Sequence, residues 1–194
     1  MDKKQYSKEA QWFLRNLQKL QDDFAENVGG QIVTTDKEGE LVTVMSGQRR
    51  VCGLIMATKK GKEECEKAYK TALSLIKKQR EAIFMDCHAG YASLWVPIKV
   101  KGEIVGSITG CGGRYDRGEN NDELREKFSK YANKLGIKDK DDFLKAAIEE
   151  INPVTEEQMR RRANRLSKLV SILAEETALG EVFKTGEVKR IDED

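Results

Sequence analysis

The pattern of the chain predicts an α+β fold, an antiparallel sheet flanked by helices, with a long helix at each end. Three observations carry this. Apolar residues recur at helical spacing near both termini, two β-hairpin signals lie between them, and 194 residues is the length of one domain with a core of its own.

The first helix is expected from Ser7 to Asn27. Phe13, Leu17, Leu20, Phe24 and Val28 step by four, three, four and four, so they share one face, which Trp12 should widen, and Gly29-Gly30 stops the run. Gln31–Thr35, the turn Asp36-Lys37-Glu38-Gly39 and the return Leu41–Met45 read as a first hairpin. Val51–Ala57 reads as a short helix, Lys59–Lys62 as a polar break, and Glu63–Arg80 as a longer helix with Ala68, Ala72, Leu75 and Ile76 inward. Ile83–Asp86 should be a short strand leading into Cys87-His88-Ala89-Gly90. Tyr91–Val100 and Glu103–Thr109, turning at Lys101-Gly102, form the second hairpin, which Gly110-Cys111-Gly112-Gly113 should end.

Two polar-surfaced helices are expected, at 121–135 and 140–151, before Asn152-Pro153 breaks the chain. Thr155 and Gln158 make a capping box for a last helix reaching Thr177. Its residues Met159, Ala163, Leu166, Val170 and Leu173 step by four, three, four and three, a heptad-like seam. That seam serves either packing on its own domain or pairing with a second copy in a homodimer. The expected boundaries are a domain over 1–152, an amphipathic signalling or dimerisation helix over 153–180, and a polar tail over 181–194.

Charge narrows the function classes. With 35% charged residues, 39% hydrophobic ones and a net charge of +2, no global field draws the chain to nucleic acid or to an anionic membrane. Arg160, Arg161, Arg162 and Arg165 are bracketed by Glu156, Glu157, Glu175 and Glu176, which reads as a solvated helix face. No apolar run spans a bilayer and the N-terminus has no signal-peptide stretch, so a cytoplasmic location is expected. In that reducing compartment Cys52, Cys65, Cys87 and Cys111 are buried thiols, reactive thiols or metal ligands rather than disulfides.

Cys87-His88 is the sharpest feature, because His88 is the single histidine of the chain. Thiolate and imidazole both ligate zinc and iron, and Cys52, Cys65 and Cys111 could join them. The spacing lacks any CxxC pair, the mark of a strong zinc or iron–sulfur motif. Free cysteines are also common core filler, which suits Cys52 beside Val51 but not Cys65 among charged neighbours. On a strand, Cys87 and His88 would point to opposite faces, which disfavours a catalytic pair. No phosphate loop, nucleophile elbow or dinucleotide fingerprint is present, and no enzymatic activity is expected.

Several of these residues fall together in one pattern. The helix before Gly29-Gly30, Val33-Thr34-Thr35-Asp36-Lys37-Glu38-Gly39, Cys52, Gly61 through Cys65, Cys87-His88-Ala89-Gly90, Val96-Pro97-Ile98, Lys101-Gly102-Glu103 and Ile104-Val105-Gly106 resemble the PocR-type sensory domain. The resemblance runs from Leu17 to Gly113 and implies a PAS/GAF-like fold, a sensory role and a small organic ligand. It carries Cys52, Cys65, Cys87 and His88 over as site positions. Cys111 departs from it, standing where the family more often has glycine. The family often sits beside a DNA-binding or kinase module, and no such module is recognisable here, so the chain is expected to act alone on a signalling partner or to be a piece of a larger protein.

Two functions follow as expectations. In the first, a small organic molecule binds between the sheet and the helices carrying Cys52 and Cys65, with Tyr91, Trp95 and Met85 along the wall and His88 and a cysteine as polar contacts. In the second, Cys52, Cys65, Cys87, Cys111 and His88, or most of them, hold zinc or an iron–sulfur cluster.

Overall fold

A computed structural model describes residues 8–100 and 102–175. Ser7, Lys101 and everything from Glu176 onward, including the expected polar tail, lie outside the described residues.

The elements are α1 (Lys8–Val28), β1 (Gln31–Asp36), α2 (Arg50–Met56), α3 (Lys59–Gln79), β2 (Ile83–Asp86), β3 (Ala92–Val100), β4 (Glu103–Tyr115), α4 (Asn121–Leu135), α5 (Lys140–Ile148), β5 (Pro153–Val154) and α6 (Glu156–Glu175). The fold is α+β, as expected, and consistent with the PAS/GAF type. The strands run β1-β4-β3-β2, antiparallel throughout, and β5 adds a short parallel pairing to the end of β4.

Strand alternation sorts the sheet into two faces. Ile32, Leu94, Val96, Ile98 and Ile108 join one apolar core with Phe13, Leu17 and Phe24 of α1 and Met159, Leu166 and Val170 of α6. The intervening residues of the same strands face α2 and α3. A further cluster, built on Leu124, Phe128 and Phe143, ties α4 and α5 to α2 and to the loop after β2. Tyr91 stacks on Phe128 at 5.5 Å within it.

The α6 seam is used within the chain. Met159, Ala163, Leu166 and Val170 are buried in the first core, with Leu173 packed against it. The capping box forms as read: the Thr155 hydroxyl accepts from the Gln158 N–H and the Gln158 side chain accepts from the Thr155 N–H. Trp12 does not widen the buried face of α1. It is 48% exposed, and Leu14, on the other flank of the stripe, is buried instead.

α5 ends at Ile148, three residues short of its expected end, and three other boundaries differ from expectation, each for a local reason. Lys59–Lys62 is the first turn of α3, not a break, because the Thr58 side chain caps it by accepting from the Gly61 N–H at 2.9 Å. The limb Leu41–Met45 is not a regular strand and touches β1 through isolated bridges. Its ladder is interrupted where the Thr43 hydroxyl, not a carbonyl, accepts from the Thr34 N–H. β4 does not end at its glycines but runs on to Tyr115, since β1 pairs with it as far as Cys111 and β5 pairs with Arg114 and Tyr115. Gly110 is needed there: a Cβ would stand 2.5 Å from Ile32 Cδ1.

Candidate functional site

A cavity of about 50 Å³ lies between the second face of the sheet and α2 and α3. All four cysteines and His88 line it, together with Tyr91 and Trp95. The fold therefore gathers thiols spread over some sixty positions of sequence around one hollow.

Each wall has a local cause. The α2–α3 corner brings Cys52 and Cys65 inward, and it is tight: a Cβ on Gly61 would stand 2.0 Å from the Ile55 carbonyl oxygen. The floor comes from strand alternation. Gln31 and Ser93 flank Cys111 on the neighbouring strands, and Val33 and Trp95 flank Thr109. All six reach the cavity. The remaining edge is the tight turn between β2 and β3, closed by Cys87 N–H to Tyr91 C=O at 2.7 Å and Gly90 N–H to Cys87 C=O at 2.8 Å. Cys87 and His88 therefore belong to a turn, not a strand, and both line the same cavity, where a strand would have sent them to opposite faces.

Met85 is the exception among the expected wall residues. β2 ends the sheet on the side away from β1, and the wall is closed before it by Ser93 and Trp95 of β3. Met85 packs instead in a satellite cluster with Ile76, Ile83 and Trp95. Residues the sequence did not single out, Gln31, Val33, Ile55, Tyr69 and Thr109, take part in the wall. Tyr69 meets Trp95 edge-on at 5.2 Å. Alternation outward from Trp95 and Cys111 was the available signal for Ser93 and Thr109.

The chemistry of the walls is neutral. Burial, then the neighbouring Cys87, pushes the Cys65 thiol up to about 12, and burial does the same to Cys87. Hydrogen bonding to Cys52, then burial, holds Cys111 well above its ordinary range. Burial lowers the His88 imidazole, so it is neutral at physiological pH. Cys65 Sγ and His88 Nε2 share a hydrogen bond of 3.2 Å. With the thiol protonated it is the donor, which leaves the imidazole proton on Nδ1. This is not an activated nucleophile, which requires a thiolate or a base able to make one. Among the described residues no group of three or more His, Cys, Asp or Glu side chains is placed to hold one metal ion. The thiols share the cavity from separate walls: Cys52 from α2, Cys65 from α3, Cys87 from the turn and Cys111 from β4.

Polar atoms in the wall fall into two groups. Some are spent: Trp95 Nε1–H donates to Ser93 Oγ, Ser93 Oγ–H to the Met85 carbonyl, and Thr109 Oγ1–H to the Leu94 carbonyl. Others are buried with no partner among the described residues: Gln31 Oε1, His88 Nδ1 and the Tyr91 hydroxyl. An orphaned buried polar atom costs about 1–3 kcal/mol, and three of them belong to residues of one cavity.

Among the described residues no helix is long and apolar enough to cross a membrane. None of the curated proteins compared with the chain matches it significantly. A family model does match: the sensory domain found in PocR, over residues 13–178, from α1 through α6. With the match covering most of its length, the chain belongs to the PocR sensory-domain family.

Proposed function

We propose that the chain is a cytoplasmic sensor that binds a small organic molecule in this cavity and acts by binding rather than by chemistry. The observation that carries the reading is the set of unpartnered polar atoms, Gln31 Oε1, His88 Nδ1 and the Tyr91 hydroxyl, in a wall whose Ser93, Trp95 and Thr109 side chains are satisfied. A core evolved only for packing would replace them with apolar groups at a gain in stability. A ligand with a donor for Gln31 and acceptors for the other two supplies what they lack. The free space of about 50 Å³ is several times the roughly 10–15 Å³ that one water needs, which fits a molecule of a few heavy atoms.

Occupancy reaches the terminal helices through the sheet. Thr109 and Cys111 line the cavity, while Ile108 and Gly110, which alternate with them along β4, face α1 and α6. A shift of β4 under the ligand alters the seat of Met159, and a signalling partner reads the position of α6. A homodimer would need a surface other than the heptad-like seam, whose residues Met159 to Val170 are spent on the chain's own core.

The test is a thermal-shift and calorimetric screen with small diols, alcohols and acids against the wild type, Gln31→Leu and Tyr91→Phe. Binders should raise the melting temperature by the mass-action amount. Both variants should stay folded and lose that response. No response to any small polar molecule, with both variants melting like the wild type, sinks the reading. The zinc or iron–sulfur alternative has no group of three or more ligands placed to hold a metal among the described residues. Anaerobic protein with stoichiometric metal, lost on Cys87→Ser, would restore it.

A further inference from the structure

Among the described residues Arg114 has no counter-charge: its side chain is half-buried, its Nη1 is sealed from solvent with no hydrogen-bond partner, and it takes part in no ion pair there. No carboxylate of the described residues pairs with it: Asp86 holds Arg117 at 2.7 Å, Glu119 holds Lys127 at 2.8 Å and Glu64 holds Lys67 at 2.9 Å, while Asp86 Oδ1 and Glu119 Oε2 are themselves buried without a partner. A guanidinium withdrawn from water without an anion is costly, and structures keep such a group where something else supplies the charge.

Its position follows from register. Ala92 pairs with Gly113, and both lie on the α1–α6 side, Ala92 in that core and Gly113 against Val154. The residues next to them, Tyr91 and Arg114, therefore fall on the cavity side. The β-bulge between Ala92 and Ser93 skips Gly112 and so sets this phase. Tyr91 lines the cavity, and its hydroxyl is likewise buried without a partner. Burial pushes that hydroxyl well above its ordinary range, and the charge of Arg114 opposes the shift. Arg114 itself stands outside the wall, at the Tyr91 end.

We infer that the Tyr91 end of the cavity is an anion subsite, in which the Tyr91 hydroxyl and the Arg114 guanidinium take the carboxylate of a short-chain carboxylic acid. The inference rests on the ligand-cavity reading and narrows it. Val33, Ile55 and Ala68 of the wall suit a chain of a few carbons. The rest of the wall offers nothing negative to repel a carboxylate: the Cys65 and Cys87 thiols are protonated and His88 is neutral. A hydroxyl donor backed by a guanidinium is the arrangement that charge-assisted recognition of a carboxylate uses.

The experiment compares acids with their own amides, which match them in shape and differ in charge. The full chain is titrated calorimetrically and by thermal shift with acetate, propionate and butyrate, and with acetamide, propionamide and butyramide, at constant ionic strength in chloride. The expected result is at least tenfold tighter binding of one acid than of its amide. Arg114→Met should abolish that preference, Arg114→Lys should keep part of it, and Tyr91→Phe should weaken the acid more than the amide. Equal binding of acid and amide, or binding of small alcohols alone, overturns the anion subsite and leaves the cavity reading standing. A preference unchanged in Arg114→Met also overturns it. No binding of acid, amide or alcohol overturns both. Should Arg114→Met fail to fold, the wild-type comparison of acid with amide decides.

Discussion

Along β3, Leu94, Val96 and Ile98 turn toward α1 and α6, while Ser93 and Trp95, which alternate with them, turn toward the cavity. The first set meets Phe13, Leu17, Met159 and Leu166 in an apolar core. The second set meets thiols, an imidazole, and polar atoms without partners. A single sheet thus carries a stabilising face and a face that gives up stability. The difference teaches where function sits: the packed face supplies the free energy that lets the other keep its unmet hydrogen bonds.

The sharpest way to break this contrast is to ask how reactive the cavity thiols are. With Cys65 and Cys87 held at about 12 against an ordinary 9.0, the thiolate fraction at pH 8 falls from about one-tenth to about one in ten thousand, roughly a thousandfold. Iodoacetamide at pH 8, followed by peptide mapping, should label both about a thousandfold more slowly in the folded protein than in urea. Labelling of Cys87 at the unfolded rate would show a solvated, functional thiol and end the picture of a neutral cavity.

On the packed face the test is truncation. Leu166 is fully buried between α6 and the sheet, and Leu166→Ala should cost about 3 kcal/mol in urea unfolding. A cost under about 1 kcal/mol would mean that α6 is not part of the stabilising core.

The two faces also differ in how far they could be read from sequence. α6 was legible because its signals are local: the capping box is three residues long and the apolar stripe repeats every turn, so Thr155, Met159 and Leu166 announce themselves. The second hairpin was legible for the same reason. On the cavity face, only Cys87-His88, the other cysteines, Tyr91 and Trp95 stood out, because unusual residue types draw attention by themselves. Gln31, Thr109 and Arg114 did not. Each is an ordinary strand residue until the β1–β4 and β3–β4 registers, and the skip at Gly112, decide which way it points. Register depends on pairings between distant segments, and a bulge of one residue reverses every side chain after it. Met85 failed on the same ground, since the sequence does not say that β2 is an edge.

One substitution made on both faces sharpens the comparison further. Ala163 of α6 is buried in the packed core, whereas Ala68 of α3 borders the cavity. Ala163→Leu should cost about 1–3 kcal/mol through overpacking. Ala68→Leu has about 50 Å³ of space to enter, and should change stability by less than about 1 kcal/mol in either direction while abolishing ligand-induced thermal shifts. Equal costs for the two would mean that the hollow is not real space.

The smallest effect expected is a pH dependence confined to the cavity face. Burial lowers the His88 imidazole below its ordinary 6.5, with Glu64 opposing and Lys134 reinforcing the shift. Below about pH 6.5 the unfolded chain therefore takes up a proton that the fold still refuses, so each step down in pH favours unfolding. The contribution is fully present above 6.5, declines as pH falls through the lower folded value, and levels off beneath it. The carboxylates titrate in the same range but are common to both proteins when the wild type is compared with His88→Gln. Between about pH 7.5 and about pH 5 the urea midpoint of the wild type should fall further than that of the variant. Parallel profiles would mean that His88 is as well solvated in the fold as in the unfolded chain, and its Nδ1 would no longer count among the cavity's unmet donors.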